Sequence, residues 1–276
     1  MEFSTRSFAR LLVVAGLWFG AATPGWGQSG LRFSFDVEGP HGGARETVLR
    51  IAGEVNEGDL ERLQSFLLRH PREFIDHGDR AVFIVDGGDL EEAIRIGHFL
   101  EDALIEAWLP DAARHRCVSA CFFMFAAMVS RNAVADSVGL HRPWFDAGVV
   151  ARATAAQARA RLDATFARAR ERLDALQVPR DFTEKMLATP WNETWWLDNE
   201  DLARLGGQRY WFEDWSAARC GVEPGLPRRL AYAEAAGYQA EAETLRVELA
   251  AANTCVADLR KSRRRELVES LPDENR

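Results

Sequence analysis

The stretch Ala81-Val-Phe-Ile-Val-Asp-Gly-Gly-Asp89 decides the fold class of this chain. It opens with a continuous apolar run, which is typical of a strand buried on both faces of a parallel sheet. Gly87 and Gly88 allow the backbone to turn sharply after the strand and to expose N–H groups. Apolar residues then recur at helical spacing from Leu90 to Ala107, which predicts an amphipathic helix.

The segments before this stretch show the same alternation of strand and helix. Leu31 to Val37 alternates apolar and polar residues as a half-buried strand does, and Val48 to Ala52 is a second short strand. A helix with one apolar face follows, and Pro71 and Gly78 mark its exit loop. Strands that alternate with helices indicate an α/β fold with a parallel sheet and helices on its faces.

A serine and a histidine lie in the segments that follow. Cys117-Val-Ser-Ala-Cys121 leads into an apolar helix predicted over residues 120–129, and Gly139-Leu-His141 places a histidine 22 residues after Ser119. A nucleophile, a base and backbone N–H groups are what attack on a carbonyl requires. Each piece also has a structural interpretation. Ser119 is then a helix N-cap, His141 a loop histidine held by a backbone carbonyl, and the glycine pair a plain turn.

The order of these pieces resembles the Clp-protease/crotonase superfamily, and most closely its exported ClpP-like branch. The resemblance runs from about Val48 to Gly206. The segments that carry it are Asp86-Gly87-Gly88, Cys117 to Cys121, Gly139 to Pro143 and Trp196 to Gly206. It implies a superhelix of ββα units with a parallel sheet. The charged, helix-rich residues 228–264 would add a C-terminal helical extension.

The resemblance also implies roles for single residues. Ser119 Oγ would attack a carbonyl and His141 would take its proton. The N–H groups of Ala120 and of Gly87 or Gly88 would hold the oxyanion. These residues together predict a serine hydrolase site.

The sequence departs from the Clp peptidases at the third member of the triad. Thr194 falls at the position of their aspartate, and Asn192 and Glu193 stand beside it. Asparagine or glutamate orients an imidazole better than threonine does, and all three residues stay candidates. A serine–lysine mechanism would instead need a buried lysine, and the chain has only Lys185 and Lys261.

The four cysteines are Cys117, Cys121, Cys220 and Cys255. An even number in an exported chain suggests disulfides. Cys117 and Cys121 are four residues apart across a turn into a helix, which can bring their Cα atoms within bridging range and would leave Cys220 to pair with Cys255. Buried free thiols are the alternative. No histidine lies at ligand spacing from these cysteines, so the sequence predicts neither a metal site nor a cofactor.

The N-terminus has the pattern of a secretory signal. Arg6 and Arg10 precede an apolar stretch from Leu11 to Ala22, and small residues before Gln28 suit cleavage there. We therefore expect a periplasmic or secreted protein with no membrane span after cleavage. An uncleaved anchor is the alternative.

Three segments are predicted: a signal peptide over residues 1–27, a ClpP/crotonase-like domain over 28–222 and a C-terminal helical segment over 223–276. Tyr210 to Phe212 is expected to be a closing strand of the domain. The helix over residues 149–177 is expected to join copies of the chain in a homo-oligomer, as the superfamily assembles. A formal net charge of −8 argues against nucleic acid or an anionic membrane as a partner.

Three functions are open to such a chain. The first is an exported serine hydrolase, peptidase-like, that acts on peptide or other acyl bonds in the cell envelope. The second is a catalytically inactive ClpP-like module that binds a peptide or protein there. The third is an acyl-CoA enzyme of crotonase type, which export disfavours because CoA thioesters belong to the cytosol. Ser119 and His141 favour the first, whereas the missing aspartate and the bulky Phe122 and Phe123 favour the second.

Overall fold

The computed structural model describes residues 30–39, 45–145, 150–221, 223 and 225–272. The predicted signal peptide, residues 1–27, lies outside these ranges. Within them, no helix combines the length and the apolar character that crossing a bilayer requires.

Strands alternate with helices in the first half of the chain, and helices dominate the second half. The strands are β1 (Arg32–Glu38), β2 (Glu46–Val55), β3 (Arg80–Gly88), β4 (Glu106–Leu109), β5 (Arg116–Val118), β6 (Ser130–Ala133), β7 (Val138–Leu140) and β8 (Trp195–Trp196). The helices are α1 (Asp59–Arg69), α2 (Pro71–His77), α3 (Leu90–Asp102), α4 (Cys121–Ala127), α5 (Ala155–Ala175), α6 (Arg180–Ala188), α7 (Asn199–Leu205), α8 (Tyr210–Cys220), α9 (Leu226–Ala236) and α10 (Gln239–Ser270).

The strands form one sheet in the order β1-β2-β3-β5-β7-β8, with β4 beside β3 and β6 beside β4. β1 and β8 run antiparallel to their neighbours β2 and β7. The other pairs are parallel, and each parallel pair needs a crossover connection. The predicted α/β fold with a mostly parallel sheet is therefore confirmed.

The apolar helix α4 lies at the centre of the core, and every residue from Cys121 to Ala127 is buried. It contacts α3 closely at Gly97. A Cβ atom on that glycine would lie 3.0 Å from Phe123 O and 3.2 Å from Ala127 Cβ. This contact fixes α4, and with it the turn that precedes the helix.

Three predictions of local structure are wrong: one helix end and the type of two segments. The helix expected to reach Ala107 ends at Asp102, because Leu104 adopts a left-handed φ of 57° and the chain continues as β4. The expected strand at Tyr210 to Phe212 is the first turn of α8. Phe212 is buried there against Leu104 and Val129. The expected exit loop after Pro71 is helix α2.

Arg131 is a buried cation that joins the ends of three helices. It is 8% exposed. Its Nε donates to Ala126 O at 3.0 Å, Nη1 to Leu205 O at 3.1 Å and Nη2 to Leu176 O at 2.8 Å. These carbonyls lie at the C-terminal ends of α4, α7 and α5, where helices leave carbonyl groups unpaired. Burial lowers the pKa of Arg131 to about 10, so the guanidinium stays charged at neutral pH.

The C-terminal helix α10 is bound to the sheet domain by a row of arginines. Arg260 Nε donates to Leu104 O at 2.9 Å. Arg264 is fully buried, and its Nη2 donates to Ile75 O at 2.9 Å. The disulfide between Cys220 of α8 and Cys255 of α10 adds a covalent link, with a Cα–Cα distance of 5.8 Å.

Candidate active site

Ser119 occupies the turn between β5 and α4. Its φ is 57°, in the left-handed region that non-glycine residues rarely adopt. Its backbone N–H donates to Gly139 O at 2.9 Å. The Cys117–Cys121 disulfide spans the turn, with a Cα–Cα distance of 5.2 Å. Both predicted cysteine pairings are thus confirmed, and the first of them fixes the backbone on either side of the serine.

The glycine pair at the end of β3 lies directly against this turn. Gly87 and Gly88 have φ values of 119° and 122°, in a region that favours glycine. A Cβ atom on Gly87 would lie 3.0 Å from Ser119 Cβ and 3.4 Å from its Oγ. A Cβ atom on Gly88 would overlap the Val55 backbone. Gly87 therefore leaves free the space beside the Ser119 hydroxyl.

Ala120 follows Ser119 and is buried. Among the described residues, its backbone N–H makes no hydrogen bond. Ala120 directly precedes α4, and the N–H groups at the start of a helix have no partner within the helix. This group is thus free to donate to an oxygen atom of a molecule bound at Ser119.

His141 directly follows β7 and is half-buried. Its Nδ1 lies 2.9 Å from the carbonyl oxygen of Arg142. A carbonyl oxygen only accepts, so this bond requires a proton on Nδ1 and leaves Nε2 of the neutral ring as the acceptor. Within the described ranges, no hydrogen bond joins His141 to Ser119, and no carboxylate lies within 4.0 Å of a nitrogen of the His141 ring.

Of the three candidates for the third triad position, Thr194 lies nearest the site. β7 and β8 pair Gly139 with Trp196 and Leu140 with Trp195, and continuing this register places Thr194 opposite His141. Its Cγ2 lies 2.6 Å from the position of a Cβ atom on Gly139. Asn192 and Glu193 are exposed in the preceding turn, and neither makes a hydrogen bond to His141.

The lysines of the alternative mechanism are engaged elsewhere. Lys185 is exposed, and its Nζ lies 3.8 Å from the centroid of the Trp195 ring. Lys261 Nζ lies 3.9 Å from Asp76 Oδ1. Neither lysine is buried, which a general base of this kind requires.

Two features of the site are not predicted from the sequence. One is the Arg142 carbonyl beside His141, which has no sequence signature because every residue carries a carbonyl. The other is an exposed ion pair between Arg116 and Asp86, with Nε–Oδ1 at 2.6 Å and Nη2–Oδ2 at 2.8 Å. The opposite charges of Asp86, near the end of β3, and Arg116, at the start of β5, could have indicated this ion pair. In the described part of the chain, no three potential metal-ligating side chains cluster.

Comparisons with known proteins give a distant likeness in fold. No protein-family model matches the chain, and no curated protein matches it. Among solved structures, a mutant ClpP1 from Listeria monocytogenes is similar with a TM-score of 0.41 and 12% sequence identity. The match covers 58% of this chain and 86% of that one. A likeness of this size transfers no residue role to the present chain.

Proposed function

We propose that this protein is an exported serine hydrolase, peptidase-like, with Ser119 as nucleophile and His141 as general base. We also propose that its fold is a ClpP/crotonase-like superhelix of ββα units with a C-terminal helical extension. The observation that carries the activity is the left-handed turn at Ser119, whose hydroxyl lies against the side-chain-free face of Gly87. A helix N-cap needs no such conformation, since N-cap residues have extended φ/ψ.

The reaction would proceed in two steps. Ser119 Oγ forms a bond to the carbonyl carbon of the substrate while its proton moves to His141 Nε2. The bond to the leaving group then breaks, and the leaving group departs with the electron pair and takes that proton. Water repeats the sequence on the acyl-enzyme. It gives its proton to His141, which returns it to Ser119 Oγ as the acid is released.

The oxyanion would be held by backbone donors. The Ala120 N–H has no partner among the described residues, and the glycine turn lies on the other side of the Ser119 hydroxyl. Loss of one such donor typically lowers the rate by about 10²–10³-fold. The Arg142 carbonyl would hold His141 in the tautomer that a general base needs. The bond between His141 and Ser119 would form on substrate binding, as catalytic hydrogen bonds often tighten only in the complex.

A fluorophosphonate probe tests this proposal. We expect covalent labelling of the mature protein, located at Ser119 by mass spectrometry. Labelling should be lost in Ser119→Ala and slowed by about 10²-fold or more in His141→Ala, because general-base catalysis typically contributes 10²–10⁴-fold. Ser130→Ala removes a half-buried serine elsewhere and serves as the control. Absence of labelling in the folded wild-type protein would refute the hydrolase.

The second candidate is a catalytically inactive module that binds a peptide or protein in the envelope. The observation that favours it is the absence, within the described residues, of both a Ser119–His141 hydrogen bond and a carboxylate at His141. This candidate predicts no labelling. It also predicts that Ser119→Ala retains full binding of partners captured from the cell envelope.

Export and assembly belong to the same proposal. Two disulfides support an oxidising compartment, since such bonds are rare in the cytosol. Cell fractionation should place the protein in the periplasm or the medium, cleaved before Gln28. Sedimentation velocity should detect a homo-oligomer joined through α5, and a monomer at all concentrations would contradict the assembly.

A further inference from the structure

The strands beside Ser119 have one buried face and one open face. Leu140 of β7 and Leu197 after β8 are fully buried and point into the core. Side chains alternate along a strand, so Gly139 and its antiparallel partner Trp196 lie on the opposite face. Trp196 is 39% exposed there. The sheet therefore presents a large, partly exposed apolar side chain next to β7, the strand that His141 follows.

One edge of the Trp196 indole covers Gly139, which is buried, while the side chain as a whole stays partly exposed. Its Cζ3 and Cε3 atoms lie 2.9 and 3.0 Å from the position that a Cβ atom on Gly139 would occupy. Only glycine at this point of β7 allows the ring to lie on the strand. On the side of Gly139 away from β8, the β5–β7 register pairs Gly139 with Val118 of β5. Val118 is half-buried. Trp196, Gly139 and Val118 thus form an apolar strip across three strands.

The strip ends at the nucleophile. Val118 immediately precedes Ser119, and the Gly139 carbonyl accepts the Ser119 backbone N–H at 2.9 Å. Arg116, two residues before Val118 on β5, forms an ion pair and a hydrogen bond with Asp86 on the adjacent strand, so these two charges neutralise each other. A ligand on the strip consequently meets apolar surface and a satisfied ion pair. This surface suits an uncharged, apolar group.

We propose that the strip of Trp196, Gly139 and Val118 is the subsite for a bulky apolar group on the acyl portion of the substrate. This inference rests on the proposed hydrolase activity of Ser119. The acyl portion of the substrate is bonded to Ser119 Oγ in the acyl-enzyme. Because the strip begins at Val118, the residue before Ser119, it lies beside the acyl portion during both formation and hydrolysis of that intermediate. Trp196 is then the residue that determines specificity for large apolar acyl groups over small ones.

Hydrolysis of 4-nitrophenyl acetate and 4-nitrophenyl octanoate tests the subsite. Wild-type protein should prefer octanoate in kcat/KM, and Trp196→Ala should lower the octanoate-to-acetate ratio by about 10–100-fold, the range that one or more buried methylene groups give. Trp196→Phe keeps an aromatic face and should retain most of the ratio. Trp191→Ala removes an exposed tryptophan that stacks on Trp144 at 5.1 Å and should leave the ratio unchanged.

The outcomes separate the subsite from the activity. If wild-type protein hydrolyses neither ester in a Ser119-dependent way, the proposed function fails and the subsite fails with it. If acetate hydrolysis depends on Ser119 but the ratio is the same in Trp196→Ala and wild type, the subsite alone is refuted. A circular dichroism spectrum and a urea unfolding midpoint that match those of the wild type in Trp196→Ala exclude misfolding as the cause of a lower ratio. If that variant does not fold, an unchanged ratio in Trp196→Gln, which replaces the apolar surface by a polar amide, refutes the subsite.

Discussion

Replacing Arg131 by methionine is expected to destabilise the folded protein by about 3 kcal/mol. Methionine is unbranched and apolar like the stem of arginine, but it is shorter and donates no hydrogen bond. The three carbonyls that Arg131 binds, at Ala126, Leu205 and Leu176, would lose their partner at distances of 3.0, 3.1 and 2.8 Å. Water does not reach this site readily, because the arginine is 8% exposed.

The magnitude follows from two opposing effects. A buried polar group left without a partner costs about 1–3 kcal/mol, so three carbonyls cost about 6 kcal/mol in total. Burial of the guanidinium is itself unfavourable. The lowering of the pKa of Arg131 to about 10 corresponds to about 3 kcal/mol, which the substitution relieves. The net loss is therefore about 3 kcal/mol.

Urea unfolding of the protein with its disulfides intact, followed by circular dichroism, measures this loss as a shift in the midpoint at constant slope. Arg170→Met is the matched control. Arg170 is an exposed arginine of α5 whose Nε lies 3.4 Å from Glu184 Oε1, and exposed pairs contribute at most about 1 kcal/mol. If Arg131→Met and Arg170→Met unfold at the same urea concentration, the helix-end bonds do not stabilise the fold as argued.

Two further predictions concern stability. Replacing both Cys220 and Cys255 by alanine should lower the free energy of unfolding by about 4 kcal/mol, and replacing both Cys117 and Cys121 should lower it by about 2 kcal/mol. The first disulfide closes a loop of 35 residues and the second a loop of 4, and closing a longer loop removes more entropy from the unfolded chain. Equal losses by urea unfolding would contradict this. Burial lowers the pKa of the His115 imidazole, so the unfolded chain binds its proton more readily, and stability should be full above about pH 6.5 and fall below it. His115→Phe should flatten this dependence, and an unchanged slope between about pH 7.5 and pH 5 would count against it.

Long, uniform segments of this fold are predictable from the sequence. The apolar runs of β3 and α4 are buried along nearly their whole length, so their composition alone indicates their place. The four-residue β4 and the start of α8 are not predictable in this way. A left-handed Leu104 converts an apparent last helical turn into a strand, and Phe212 fits a helix face as well as a strand.

The candidate site likewise contains residues that the sequence predicts and contacts that it does not. Chain order and residue type single out Ser119 and Gly87, and the structure brings them into contact. The partner of His141 is a backbone carbonyl, and no residue type marks a carbonyl that will face a particular ring. The Thr194 position depends on the register of a two-residue strand, which local sequence does not specify.

The arginine-rich end of α10 has a consequence for biosynthesis. Arg260 and Arg264 bind carbonyls 156 and 189 residues earlier in the chain. The disulfide of Cys220 can form only after Cys255 has been synthesised. The Leu104 and Ile75 carbonyls therefore gain these partners only when nearly the entire chain has emerged. Because synthesis begins at the N-terminus, the domain gains these contacts only after its C-terminal helix has been made. Until then it remains a substrate for chaperones and proteases.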